Sequence, residues 1–208
     1  MARIGLIAGM AWELPNWLSG IDDGNIHVVR TRANNIGAVV SGVGPKNAAD
    51  AANILIREFQ PDYFFVTGFC GAIDPSMEVG DIILANELCY NGNKLELKTR
   101  EYSRALHILR ELDSNYHQGK IQTFDHAVFS RNRIPSDVMG VDMEAYAVAV
   151  IGRENGIPTV IVKSVSDVVP EKKPFWFPRM RLIGRIHANL DRATYGLHQF
   201  TRIYLETR

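Results

Sequence analysis

Acids stand where short apolar runs end, and they are the residues whose types and spacing could do chemistry. The stretch Val141-Asp142-Met143-Glu144-Ala145-Tyr146-Ala147 delivers two carboxyls and a methionine at the mouth of a small-residue helical segment. Glu144 is suited to accept hydrogen bonds from a ribose 2′/3′ diol, with Met143 packed beside the sugar. Asp142 as an N-cap and Glu144 as a first-turn acid would explain both without any ligand. The run Ile161-Val162-Lys163-Ser164-Val165-Ser166-Asp167 ends in a hydroxyl and an acid. Desolvation between Val165 and Val168 would favour the protonated form of Asp167, making it a proton donor at neutral pH; alternatively, Ser166 or Asp167 caps the next segment. Glu13, between Trp12 and Leu14, reads from position alone as an acid at a helix N-terminus rather than a catalytic group.

Three glycine-bearing segments follow predicted strands: Ala8-Gly9-Met10, Gly42-Val43-Gly44-Pro45 and Gly68-Phe69-Cys70-Gly71. Any one could be only a tight strand-to-helix turn. Three leaving the carboxyl ends of strands point to a ligand edge, where unpaired backbone N–H groups face anionic or hydroxylated groups.

The elements that must position these residues follow from apolar periodicity. Short β-branched runs predict strands at Arg3–Ile7, Ile26–Thr31, Ala38–Ser41, Tyr63–Thr67, Asp81–Ala85, Lys120–Thr123, Gly140–Asp142 and Thr159–Val165. Helical spacing predicts Pro45–Phe59, Thr99–Leu112, Met143–Asn155 and a long final helix from about Leu182 to Glu206. In the last, Ile183, Ile186, Leu190, Ala193, Leu197, Phe200 and Tyr204 form one apolar stripe. The alternation predicts an α/β fold, a three-layer α/β/α arrangement around a central mixed, mostly parallel twisted sheet. With no repeat or linker, residues 1–208 are expected to form a single domain.

Composition narrows the function classes. The 208 residues carry 23 basic and 23 acidic side chains, so the basic surplus that phosphate-dominated nucleic-acid binding needs is missing. Cys70 and Cys89 have neither metal-ligand spacing nor a disulfide framework around them. A cytoplasmic protein with no metal, no transmembrane segment and no secretory leader is expected.

Taken together, the residues resemble the nucleoside phosphorylase/nucleosidase superfamily, and within it the 5′-methylthioadenosine/S-adenosylhomocysteine nucleosidases. The resemblance rests on Ile4-Gly5-Leu6-Ile7-Ala8-Gly9-Met10-Ala11-Trp12-Glu13, Ser41-Gly42-Val43-Gly44-Pro45, Thr67-Gly68-Phe69-Cys70-Gly71-Ala72, Val79-Gly80-Asp81-Ile82, Asp142-Met143-Glu144 and Ser166-Asp167, in family order. It implies that Glu13 activates water, that Met143 and Glu144 bind the sugar, and that Asp167, supported by Ser166, protonates the purine at N7. Ala127 and Val128 match the segment whose backbone reads the purine edge, and Gly9 and Gly71 match glycines of the pocket. Phe69 stands where the nucleosidases usually have serine.

The implied partner is a small purine nucleoside, with no cofactor and a homo-oligomeric assembly. A phosphorylase would take phosphate as co-substrate and would need Arg30 or Arg32 to offset the charge of Glu13. Two further departures bear on the substrate. Nucleosidases of this kind usually carry a longer loop after Cys89-Tyr90, whereas here Asn91-Gly92-Asn93-Lys94 is expected to lead quickly to the next helix. The run from Lys172 to Arg181 interleaves aromatics with bases, which suits a loop packed on the core or on another subunit, or a peripheral membrane contact. These two features resemble the hopanoid-associated branch, whose substrate is an adenosylated lipid. Of a different class is a non-catalytic nucleoside-binding protein, which retention of Glu13, Glu144 and Asp167 together disfavours.

Overall fold

The computed structural model describes all residues except 19, 22, 23, 113, 173–178 and 208, and residues 179–187 by backbone alone. The aromatic part of the 172–181 run lies outside the described residues. In chain order the elements are β1 (Ala2–Ala8), β2 (His27–Arg30), β3 (Asn34–Val40), α1 (Pro45–Glu58), β4 (Tyr63–Ala72), β5 (Ile82–Tyr90) and β6 (Asn93–Glu96). There follow α2 (Arg100–Glu111), β7 (Tyr116–Thr123), β8 (Val138–Asp142), α3 (Ala145–Glu154), β9 (Thr159–Val168) and α4 (Arg179–Glu206). Single 3₁₀ turns at Ala11–Glu13 and Asn16–Leu18 lie in the link from β1 to β2.

The strands run in the order β2-β3-β1-β4-β8-β7-β5-β6, and β9 pairs with both β4 and β5. That double pairing closes β4, β8, β7, β5 and β9 into a ring, while β3 and β1 extend from it as a parallel flank. The sheet is mixed, with parallel contacts β1·β3, β1·β4, β4·β9, β5·β7 and β7·β8 and antiparallel contacts β2·β3, β4·β8, β5·β6 and β5·β9. Parallel contacts are the majority, as expected; the antiparallel ones come from the neighbouring pairs β2·β3 and β5·β6 and from ring closure at β4·β8 and β5·β9.

Apolar faces decide where the helices lie. Ala48, Ala52 and Leu55 of α1 join Val148 and Ala149 of α3 against Ile7, Phe64 and Ile161. Opposite them, Tyr102, Ala105 and Leu109 of α2 join Ala193, Leu197, Phe200 and Tyr204 of α4 against Leu6, Phe65 and Val162. Tyr204 stacks on Phe65 with ring centroids 4.7 Å apart, and Phe200 lies 6.1 Å from the same ring. The stripe predicted for the last helix therefore docks on the sheet from Leu190 onward, while Ile183 and Ile186 lie among residues described by backbone alone.

Three differences from the patterning have physical causes. The Asn91-Gly92 segment is a two-residue hairpin turn with both φ positive, 48° and 80°, and it feeds β6 back along β5. The chain does not pass straight to a helix there. Next, Gly68-Phe69-Cys70-Gly71 is not a turn, because β4 continues to Ala72 with a bulge between Cys70 and Gly71. Finally, β3 and β7 begin earlier than predicted, at Asn34 and Tyr116, since polar residues carry the ladder beyond the apolar runs.

Candidate active site

A 480 Å³ cavity opens where β1, β4 and β9 end, bounded by the start of α3 and the segment after β7. β1 delivers Gly9 and, through its 3₁₀ turn, Glu13; β4 delivers Phe69 and Gly71. The segment after β7 contributes Ala127 and Val128, the β8–α3 junction Met143 and Glu144, and β9 Ser166 and Asp167. All ten residues singled out from the sequence thus face one space. Trp12 and Val43 join the lining while remaining 44% and 47% exposed, which puts apolar surface at the rim.

Glu13 is only 4% exposed. One carboxyl oxygen accepts the Met10 N–H at 2.9 Å and the other the Phe69 N–H at 3.1 Å, so two chain segments fix its plane. Gly68 makes that approach achievable: its φ of +150° suits glycine, and a Cβ there would sit 2.9 Å from both carboxyl oxygens. Burial pushes the Glu13 carboxyl up to about 7; Lys163 pulls it down and Glu144 adds to the rise. A group poised there can take a proton from water near neutrality. The Met10 contact is that of an acid in the first turn of a short 3₁₀ helix, as position suggested, whereas the Phe69 N–H comes from β4 and lies outside any helix end.

Glu144 is 8% exposed and accepts the Gly44 N–H at 3.0 Å. The second glycine segment therefore does offer backbone N–H to an anion, though that anion is a side chain of the protein itself. Burial also pushes the Glu144 carboxyl up, against the opposing pull of Lys163. Asp142 behaves structurally: Thr123 donates its hydroxyl to one oxygen at 2.7 Å and the Ala145 N–H meets the other at 2.9 Å. Across the cavity the Ser166 hydroxyl donates to Asp167 at 2.9 Å. The bulge after Cys70 sets Gly71 opposite Asp167, where a Cβ would come within 3.8 Å of the carboxyl. Cys70 also lines the cavity, where burial pushes its thiol up and disfavours the thiolate.

Sequence reasoning passed over Lys163. It is 1% exposed, and its ammonium lies 3.1 Å from Asp142 Oδ2 and 3.6 Å from Glu144 Oε2. Burial would lower its pKa, yet Asp142, Glu144 and Glu13 together outweigh that and raise it. The available signal was a lysine inside an otherwise apolar strand, which must find an anion to be buried.

No arginine or lysine lines the cavity among the described residues. Arg30 and Arg32, the candidates to offset a phosphate, line a separate groove beside Trp17 and Arg202. Nor is any group of His, Cys, Asp and Glu among the described residues arranged to hold a metal ion. What the arrangement can do is hold a hydroxylated ligand on Glu144, move a proton at Glu13 and offer hydrogen bonds from the Ser166–Asp167 pair.

Known proteins share the family and the fold. The model of the Phosphorylase superfamily matches residues 3–179. A 5′-methylthioadenosine/S-adenosylhomocysteine nucleosidase of Maridesulfovibrio salexigens is 26% identical over 205 residues, 81% of this chain and 87% of that protein. The nucleosidase of the same description from Colwellia psychrerythraea 34H, solved in complex with adenine, has a TM-score of 0.83 at 22% identity, covering 100% of this chain and 97% of that one. The futalosine hydrolase of Helicobacter pylori strain 26695 gives 0.84 at 18% identity, covering 99% and 97%. With most of its length inside the family model, and with the fold of these hydrolases, the chain belongs to the phosphorylase superfamily.

Proposed function

We propose that this protein hydrolyses the N-glycosidic bond of an adenine nucleoside, with 5′-methylthioadenosine or S-adenosylhomocysteine as the type of substrate. The relatives named above support the substrate class, and one observation carries the choice of water as nucleophile. That observation is Glu13, buried and poised near 7, in a cavity that it shares with Glu144 and Asp167 and that no arginine or lysine lines among the described residues. A phosphate dianion would meet carboxylates there with no arginine or lysine facing it among the described residues, since the Lys163 ammonium lies behind Glu144.

In this reading Glu144 accepts hydrogen bonds from the ribose diol and Met143 packs beside the sugar. Ala127 and Val128 read the purine edge through their backbone, with Gly9, Phe69 and Gly71 as walls. As the C1′–N9 bond lengthens, the ribose becomes cationic and the purine gathers negative charge. Asp167, held by Ser166, gives its proton to N7, where charge develops. Water then bonds to C1′ and its proton passes to Glu13, so the site ends with the proton moved between its two carboxyls. Two carboxyls and water complete this chemistry without a cofactor. The same reading takes residues 1–208 as one three-layer domain, acting in the cytoplasm as a homo-oligomer.

Adenine release from 5′-methylthioadenosine, followed with and without phosphate, tests the proposal. Equal release in both buffers is expected; strict dependence on phosphate would show a phosphorylase instead.

A second reading, an adenosine carrying a large apolar 5′ substituent such as an adenosylated lipid, draws on the exposed Trp12 and Val43 at the rim and the short Asn91-Gly92 hairpin. Under it, kcat/KM for 5′-alkylthioadenosines rises with chain length; a flat or falling series removes it.

A further inference from the structure

The buried charges behind the cavity do not balance. Lys163, in the middle of β9, has one ammonium to share among Asp142 at 3.1 Å, Glu144 at 3.6 Å and Glu13, which it reaches only through space. Asp142 is already satisfied by the Thr123 hydroxyl and the Ala145 N–H. The titratable groups facing this cluster and the cavity before it are Glu13 from the 3₁₀ turn, Cys70 from β4, His126 from the segment after β7, Asp142 and Glu144 from the β8–α3 junction, and Asp167 from β9. One cation cannot neutralise several buried carboxylates, and an uncompensated buried charge is costly, so the ammonium's place decides which carboxyl ionises. Asp142 anchors it, and Glu144 receives what remains along with the Gly44 N–H. Lys163 does not itself line the cavity, so whatever it does for a ligand it does through Glu144.

We propose that Lys163 is the positioning residue of this site: anchored on Asp142, it keeps the Glu144 carboxylate charged and turned to the sugar diol, and so leaves Glu13 as the group that exchanges a proton. The inference rests on the nucleosidase reading above. Burial pushes both Glu13 and Glu144 up, and in each Lys163 is the strongest influence in the opposite direction.

The test is the Lys163→Gln variant, which keeps a hydrogen-bond donor and removes the charge. With the cation gone, both carboxyls hold their protons more tightly, so the acidic limb of kcat/KM moves to higher pH, by about one unit or more. The preference for 5′-methylthioadenosine over its 2′-deoxy analogue falls roughly tenfold, because an uncharged Glu144 is a weaker partner for the diol. Lys163→Arg restores both properties. Asp142→Asn removes a negative charge beside the ammonium and shifts the limb the opposite way, which decides the matter even where Lys163→Gln does not fold. A lysine that only supports the fold would lower activity and leave the limb and the ribose preference in place. An unshifted limb in these charge variants, with base release by the wild type, overturns the proposal alone. A wild type that releases no base from any nucleoside removes the nucleosidase reading and this proposal with it.

Discussion

Glu13 shows how a single carboxyl ties stability to activity. Its pKa lies at about 7 against 4.5 for an ordinary glutamate, and burial is the main cause. A base works when ionised, so kcat/KM should rise with pH through about 7. The sign for stability is opposite. The folded protein holds a proton that the unfolded chain gives up, so Glu13 contributes its full stabilisation below about pH 4.5 and loses it as pH rises through 7. The loss amounts to ~3 kcal/mol at alkaline pH. Thermal melts at pH 5 and pH 8 should show a drop in wild-type Tm that Glu13→Gln lacks, and that variant should also lose base-releasing activity; equal drops would contradict the assignment. Position alone marked Glu13 as a helix-end acid, since nothing local foretells a hydrogen bond to the Phe69 N–H from β4. Lys163 was legible as an oddity, a charge inside an apolar strand, but its partners came from a different element.

At the scale of elements, two glycines with positive φ separate site from scaffold. Gly68 sits in β4 against the Glu13 carboxyl, so Gly68→Ala must displace that group. Its expected cost is roughly 1–3 kcal/mol of stability together with most of the activity. Gly92 closes the β5–β6 hairpin with nothing within 4 Å of its missing Cβ. Gly92→Ala should cost about 1 kcal/mol in backbone strain and leave kcat/KM unchanged. Denaturant melts and initial rates on the pair would expose an error in either placement. The Asn-Gly dipeptide was a readable hairpin signal, yet the following Lys94-Leu95-Glu96 is too short and polar to declare a strand by periodicity. In β4, glycines that read as a turn continue the strand because β9 pairs alongside them through the bulge. Pairing of that kind is tertiary and leaves no local trace.

For the whole molecule, the order of strands and helices followed from patterning except for β6, whereas the ring of β4, β8, β7, β5 and β9 did not. Its contacts join segments far apart in the chain, and periodicity identifies a strand without naming its neighbour. The ring matters because it holds the ends of β4 and β9, and with them Phe69, Ser166 and Asp167, in fixed relation. The α4 face braces this arrangement through Phe200 and Tyr204, both fully buried against Phe65. Phe200→Ala should cost about 3–5 kcal/mol. The loss is read as a lower denaturation midpoint with the catalytic rate preserved below the transition, and an unchanged midpoint would show that the face is not part of the core. The account as a whole stands on the cavity cleaving a nucleoside by proton donation from Asp167 to the leaving base. Adenine release from 5′-methylthioadenosine in phosphate-free buffer, compared between wild type and Asp167→Asn, tests it most directly. The account predicts release by the wild type and a rate lower by roughly 10²–10⁴-fold in the variant; no release by the wild type, or equal rates in the two proteins, would contradict it.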